Sequence, residues 1–192
     1  MSEIVREELS YDVVIVGAGP AGLSTAIKLK QLNTELSVCI LEKSSEVGAH
    51  ILSGNVFETK ALDELIPNWK ETDIPLKTKA KKDSFLYLTK EKSYKLPTPP
   101  QMDNHGNYII SLGKLCAWLG QYAENLGVEI YPGFAASEIL YNTDGSVLGV
   151  ATNDMGVLKD GSKGPNYEPG LSLIHISEPT RRYAISYAVF GL

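Results

Sequence analysis

A glycine-rich turn near the start of the chain constrains the fold more than any other feature. A short run of mostly β-branched residues at 11–16, YDVVIV, leads into it, and apolar residues at helical spacing follow it. Such a run is typical of a buried parallel strand. The turn has the pattern G-x-G-x-x-G and consists of Gly17, Ala18, Gly19, Pro20, Ala21 and Gly22. A strand, this turn and a helix in that order predict a Rossmann-like, dinucleotide-binding α/β fold.

Each glycine of the turn has a physical role in such a fold. Gly17 permits the tight turn out of the strand, Gly19 lets the backbone approach a pyrophosphate, and Gly22 lets the helix pack closely. Pro20 suits the first helical turn, where a missing N–H does no harm. The helix N-terminus offers free N–H groups and a positive dipole end to phosphates. We therefore expect residues 17–22 to bind a cofactor.

An acidic residue follows at the expected distance. A second apolar strand, 36–41, ends at Glu42, twenty residues after Gly22. A carboxylate there can accept hydrogen bonds from a ribose diol and would repel a phosphorylated ribose. The next stretch, 43–55, has the glycines of a loop rather than the crossover helix of an NAD domain, which favours FAD. A glycine-rich turn that binds nothing is the alternative.

Composition excludes several other classes of function. The chain has 192 residues, 43% of them apolar and 21% charged, with a formal charge of −5. It has no basic block, so nucleic acid is not an expected partner. Two cysteines are too few for a four-cysteine metal site, and we predict no metal ligands. His50 and His105 lack a Cys, Ser or acid at motif spacing, so no catalytic side chain is predicted.

An apolar segment at 51–69 has two interpretations. No run reaches the roughly 20 apolar residues of a membrane-spanning helix. Its large side chains either form the core of an inserted subdomain or contact a membrane surface as a monotopic patch. The predicted contact residues are Ile51, Leu52, Val56, Phe57, Leu62, Leu65, Ile66 and Trp69.

Further patterns predict the remaining elements. We expect a short helix at 59–66, and a lysine-flanked strand at 85–88 with one solvated face. An apolar stripe predicts a longer helix from Ser111 to Leu126. The segments around the Asp144-Gly145 turn predict a β-hairpin, and 159–170 is expected to be a loop.

Several segments resemble the electron-transfer flavoprotein–ubiquinone oxidoreductases. They include LEK at 41–43, GAHILSG at 48–54, NHGNYIISLG at 104–113 and DGSVLGVATNDMG at 144–156, and the resemblance runs from about Leu9 to Gly170. It implies a glutathione-reductase-like FAD-binding domain that is incomplete and carries an inserted α+β segment. It also adds Lys43, Ser53 and Gly54 to the expected cofactor-binding residues.

The resemblance implies a function in electron transport. The family binds FAD, one [4Fe-4S] cluster and ubiquinone, and it passes electrons from reduced electron-transfer flavoprotein to the membrane quinone pool. The family's membrane surface would map onto 51–72. The expected location is the cytoplasmic face of a bacterial inner membrane, or the mitochondrial inner membrane in eukaryotic relatives. Protein residues position the cofactors and tune them, and the chemistry belongs to the cofactors.

Two alternatives remain beside this interpretation. The first is a fragment of another FAD-dependent oxidoreductase of the same fold, of the prenyl reductase or hydroxylase type, against which NHGNY and NDMG argue. The second is a truncated product without function. Two cysteines cannot supply the four thiolates of a cluster, so we expect the chain alone to be inactive.

The resemblance stops after Gly170. Residues 171–192, LSLIHISEPTRRYAISYAVFGL, resemble a translated sequencing adapter with Gly191 as the only mismatch. We therefore expect the flavoprotein part to cover 1–170 and the rest to be a foreign tail that does not belong to its fold. A natural divergent tail is the alternative.

Overall fold

The computed structural model describes residues 7–158 and 162–174. These residues divide into two units. The first unit consists of residues up to 50 and from 116 onwards, and the second consists of 51–115. The second unit is therefore inserted into the sequence of the first, and the segment 51–72 lies within it.

The described residues contain strands and helices from both units. The strands are β1 (Glu8–Ser10), β2 (Val13–Val16), β3 (Val38–Glu42), β4 (Ser53–Phe57), β5 (Thr78–Lys79), β6 (Phe85–Leu88), β7 (Ser93–Leu96), β8 (Tyr108–Ser111), β9 (Val128–Pro132), β10 (Ala136–Tyr141), β11 (Val147–Thr152), β12 (Met155–Val157), β13 (Lys163–Glu168) and β14 (Ser172–Ile174). The helices are α1 (Pro20–Leu32), α2 (Lys60–Leu65) and α3 (Leu112–Asn125), with 3₁₀ turns at Trp69–Glu71 and Pro100–Met102.

The first unit contains the predicted strand–turn–helix unit. Its parallel sheet has the order β2-β3-β9, and Ile15 pairs with Ile40, which pairs with Ile130. The first four residues of β3, Val38–Leu41, are buried, as expected of a central parallel strand. Helix α1 follows β2 after the glycine-rich turn and packs on this sheet. The sequence-based prediction of a Rossmann-like α/β fold is confirmed.

A second sheet in this unit has the order β1-β14-β11-β10. Strand β14 is parallel to β1 and antiparallel to β11, and β10 with β11 forms the predicted hairpin. A buried apolar cluster joins the two sheets and includes Tyr11, Cys39, Leu41, Val150 and Leu173. Burial of such side chains is the main force that holds the sheets together.

The C-terminal part of the described chain differs from expectation in two ways. The sequence predicts a loop at 159–170, yet β13 pairs with β12 in antiparallel register. The hydroxyl of Tyr167 donates to the Asp154 carboxylate at 2.9 Å and fixes this pairing. Strand β14 uses the first residues of the expected foreign tail. The foreign origin of 171–192 stays a prediction, and 159–161 and 175–192 lie outside the described residues.

The second unit has its own sheet and its own core. Strands β4, β8 and β5 form an antiparallel sheet with β8 in the centre. Trp69 lies edge-on to Tyr108 with the ring centroids 5.9 Å apart, and its indole N–H donates to Asp63 at 2.7 Å. The buried apolar side chains of this unit are Leu62, Ile66, Trp69, Ile74, Leu76, Ala80, Ile110 and Leu115.

Candidate functional site

The glycine-rich turn begins where β2 ends. Gly17 has a φ of +100°, a conformation that L side chains rarely adopt, and its N–H donates to the carbonyl of Leu41 at 2.7 Å. This bond joins the turn to the neighbouring strand β3. A glycine at this position therefore lets the chain leave the strand and enter α1 without strain.

The other two glycines of the motif have opposite surroundings. A Cβ built on Gly19 would meet no heavy atom within 4 Å, and Gly19 is the N-cap of α1 with extended backbone. A Cβ on Gly22 would lie 2.1 Å from the carbonyl oxygen of Gly17 and 3.2 Å from Cγ2 of Ile15. Gly22 is thus needed for close packing of α1 on the turn, whereas the space beside Gly19 is open to a ligand.

The predicted ribose-binding acid lies next to the turn. The Oε2 atom of Glu42 accepts the N–H of Ala18 at 2.8 Å, and Oε1 accepts both the N–H and the hydroxyl of Ser44, each at 2.8 Å. Partial burial raises the pKa of Glu42, but the bonds from Ser44 and Ala18 outweigh it and hold that pKa below its usual value. The carboxylate is therefore ionised at neutral pH and stands beside the turn as an acceptor.

The remaining predicted cofactor residues are spread over both units. Pro20 and Ala21 form the exposed start of α1, and Lys43 is exposed directly after Glu42. Ser53 and Gly54 begin β4 in the second unit and are exposed there. The structure brings residues 17–22 together with Glu42. Roles for Lys43, Ser53 and Gly54 in cofactor binding stay predictions.

Metal chemistry has little support in the described part of the chain. Within residues 7–158 and 162–174, no group of three or more His, Cys, Asp or Glu side chains could hold a metal ion. Burial raises the pKa of Cys39 to about 12 and that of Cys116 to about 11. Both thiols are therefore protonated at neutral pH and behave as small buried hydrophobes.

The predicted membrane-contacting residues separate into buried and exposed sets. The side chains of Leu62, Ile66 and Trp69 are buried in the core of the second unit, so they are not available to contact a membrane surface. The spacing predicted one apolar face but could not distinguish a core from a lipid surface. Ile51, Phe57 and Leu65 are half-buried, while Leu52 and Val56 are exposed, Leu52 by 85%.

The structure exposes a second apolar feature that the sequence did not predict as a site. The hairpin β6–β7, which pairs Phe85 with Leu96 and Leu88 with Ser93, exposes all its residues. Its exposed large apolar side chains are Phe85, Leu86, Tyr87, Leu88, Tyr94 and Leu96. Alternation predicted a strand with one solvated face, whereas both faces of the hairpin are exposed, and among the described residues its two strands pair only with each other. The sequence feature that could have indicated this surface is the run of four apolar residues at 85–88, which lies between lysines.

Comparisons with known proteins give the class of protein. Residues 1–78 match the model of the Thi4 family. A geranylgeranyl bacteriochlorophyll reductase-like structure from Thermoplasma acidophilum superposes with a TM-score of 0.60, covering 88% of this chain and 38% of that chain. At 19% identity this likeness shows the fold alone. With the glycine-rich turn, it defines a Rossmann-like α/β fold of the kind found in FAD-dependent oxidoreductases.

Sequence comparison gives the particular relatives. The electron transfer flavoprotein-ubiquinone oxidoreductase of Oryza sativa, a mitochondrial protein, is 60% identical over 172 residues, covering 88% of this chain. The Pseudomonas aeruginosa protein of the same name is 55% identical over 177 residues, also covering 88% of this chain. The chain spans only 30% and 32% of the length of these two relatives. It is thus a homologue of an N-terminal part of electron-transfer flavoprotein–ubiquinone oxidoreductase.

Proposed function

We propose that this chain supplies the ADP-binding part of the FAD site in an electron-transfer flavoprotein–ubiquinone oxidoreductase. The observation that carries the proposal is the open space beside Gly19, at the N-terminus of α1 and next to the Glu42 carboxylate. A Cβ would fill that space, and a pyrophosphate group would need it. The identity of 52–60% to relatives of this name supports the same assignment.

The residues present fit an adenosine diphosphate group. The first turn of an α-helix has N–H groups without intrahelical partners, and they attract the pyrophosphate. Gly17 and Gly19 let the backbone come close to its oxygens, since neither has a neighbour where a Cβ would be. Glu42 accepts hydrogen bonds from the ribose hydroxyls. These residues bind and orient the cofactor, and they take no part in proton transfer.

The whole reaction needs parts that this chain does not contain. With FAD and a [4Fe-4S] cluster bound, the complete protein would pass electrons from reduced electron-transfer flavoprotein to ubiquinone, and residues 17–22 with Glu42 would hold the ADP part of the FAD. A cluster needs four thiolates, and the chain has two cysteines, both buried. The electron donor, the cluster and the quinone are therefore partners of the complete protein, and the chain alone is expected to be inactive in electron transfer.

We propose further that the hairpin β6–β7 lies against a membrane surface. Exposed apolar side chains on a paired ribbon can enter the headgroup region of a bilayer. The exposed lysines around them, Lys81, Lys82, Lys90, Lys92 and Lys95, complement anionic lipids. Within the described residues no helix has the length and apolar character needed to span a bilayer. The proposal therefore retains the location expected from the sequence, an inner-membrane surface. Exposed Leu52 and Val56 are proposed as further contacts with that surface.

Electron transfer in the complete protein tests the proposed function. A protein that contains this chain and is purified with its cofactors should carry stoichiometric FAD and reduce a ubiquinone analogue with reduced electron-transfer flavoprotein as the donor. The variant Gly19→Val should lose both properties, because its side chain occupies the space for the pyrophosphate. A protein that retains its FAD in this variant, or that accepts electrons only from a nicotinamide nucleotide, would contradict the assignment.

A further inference from the structure

We propose that Ser44 is a positioning residue that holds the Glu42 carboxylate ready for a ribose diol before a dinucleotide binds. The inference rests on the proposed function, because Glu42 is the expected ribose acceptor of that site. Neither the glycine motif nor the spacing to Glu42 indicates Ser44, which lies two residues beyond the acid.

Ser44 holds one oxygen of the carboxylate by two bonds. Its backbone N–H and its hydroxyl both donate to Oε1 of Glu42 at 2.8 Å. The hydroxyl also lies 2.7 Å from the carbonyl oxygen of Glu46, so its single hydrogen is shared between two acceptors. Ser44 is only 2% exposed, and water cannot easily replace these bonds.

Ser44 is itself fixed to the neighbouring strand. Its carbonyl oxygen accepts the N–H of Gly133 at 2.7 Å, one residue after β9 ends. In the parallel sheet, Glu42 is in register with Pro132 of β9. The sheet therefore holds Ser44 in place, and Ser44 in turn holds the Glu42 carboxylate. These contacts fix the rotamer of Glu42 without a contribution from the ligand.

The arrangement leaves the second carboxylate oxygen for the ligand. Each carboxylate oxygen can accept about two hydrogen bonds. Ser44 supplies both bonds to Oε1, whereas Oε2 accepts the one bond from Ala18 and keeps acceptor capacity beside the turn. The ionisable groups that act on Glu42 are His50, in the loop after β3, and Cys116, on α3.

A comparison of two nucleotides separates this role from a merely structural one. We expect Ser44→Ala to weaken binding of ADP to the 192-residue chain by about tenfold, the effect of losing one hydrogen bond to a charged group. Binding of 2′,3′-dideoxy-ADP, which lacks the diol, should not change. In a Glu42→Ala background, Ser44→Ala should have no further effect on ADP binding. Ser45→Ala is the matched control, since Ser45 is the exposed neighbour.

A second measurement needs no ligand. The pKa of Glu42, followed by the NMR shift of its carboxyl carbon, should rise in Ser44→Ala because a bond to the ionised form is lost. It should stay unchanged in Ser45→Ala. An unchanged pKa of Glu42, or equal weakening of ADP and dideoxy-ADP, would overturn the positioning role while leaving the site intact. Absence of ADP binding by the unmodified chain would overturn the dinucleotide site, and the positioning role with it.

Discussion

Two glycines three positions apart have different functions in the same turn. Gly22 is buried against the carbonyl of Gly17, and no side chain fits there. Gly19 has open space around its Cα and a backbone conformation open to any residue. The sequence motif predicted close packing at Gly22 and backbone approach to a pyrophosphate at Gly19. The structure agrees with the packing role of Gly22 and leaves open space at Gly19, where the ligand role stays a prediction.

Alanine at Gly22 should destabilise the fold. A Cβ would stand 2.1 Å from the Gly17 carbonyl oxygen, so α1 or the turn must shift. We expect a loss of about 1–3 kcal/mol in the free energy of unfolding, measured by urea denaturation. Gly19→Ala is the matched control and should change that free energy by no more than about 0.5 kcal/mol. Equal losses in the two variants would show that the packing of α1 on the turn is described wrongly.

Glu42 should make stability depend on pH in the acid range. Its pKa is lower in the folded chain than the usual value of about 4.3, so the folded state favours the ionised form. This contribution is fully present above about pH 4.3 and is lost as the pH falls through the lowered pKa. Glu42→Gln should therefore reduce the acid sensitivity of the free energy of unfolding. A series of urea titrations across that range measures it, and an unchanged pH profile would refute this role of Glu42.

Among the elements, sequence patterns predicted the strands and helices that have strong periodicity. The parallel strands β2 and β3, helix α1, the β10–β11 hairpin and helix α3 follow their apolar patterns closely. Strand β13 was missed because its sequence, KGPNYE, contains Gly and Pro and has little strand propensity. It forms through pairing with β12, a long-range contact that no local pattern reports.

The hairpin β6–β7 gives a prediction on membrane binding. Leu86→Ser with Leu88→Ser removes two side chains that are 48% and 68% exposed, so the stability of the chain should not change. Binding to vesicles with anionic lipid, measured by co-sedimentation, should fall several-fold because less apolar surface enters the bilayer. Leu32→Ser is the control, since Leu32 is 73% exposed at the end of α1. Equal binding by both variants would exclude the hairpin as the contact surface.

Strand β14 gives a prediction on folding. Leu173 is fully buried in the cluster with Tyr11 and Leu41, although it belongs to the segment expected to be foreign. We expect Leu173→Ala to cost about 2–5 kcal/mol of unfolding free energy, the usual range for a buried leucine. Leu158→Ala, at a site 50% exposed, should cost far less. A small loss at Leu173 would show that 171–174 contributes nothing to the folded chain.

For the molecule as a whole, one motif and its spacing predicted the class of fold. The inserted unit, 51–115, was predicted only in outline, because the packing of buried Trp69 involves Tyr108, which is far away in sequence. The relatives are about three times as long as this chain, and the electron donor, the cluster and the quinone stay proposals for the complete protein. Sequencing of the source DNA beyond residue 170 tests the expected foreign origin of 171–192.

The binding site proposed for the ADP part of FAD consists of residues 17–22 and Glu42. Calorimetric titration of the 192-residue chain with ADP is its decisive test, with Gly19→Val as the comparison. We expect binding by the unmodified chain and none by Gly19→Val, with the same unfolding free energy in both, because valine would enter open space. FAD should bind no more tightly than ADP, since this chain offers the site for the ADP part. Equal ADP binding by both proteins, or none by either, would contradict the proposed site.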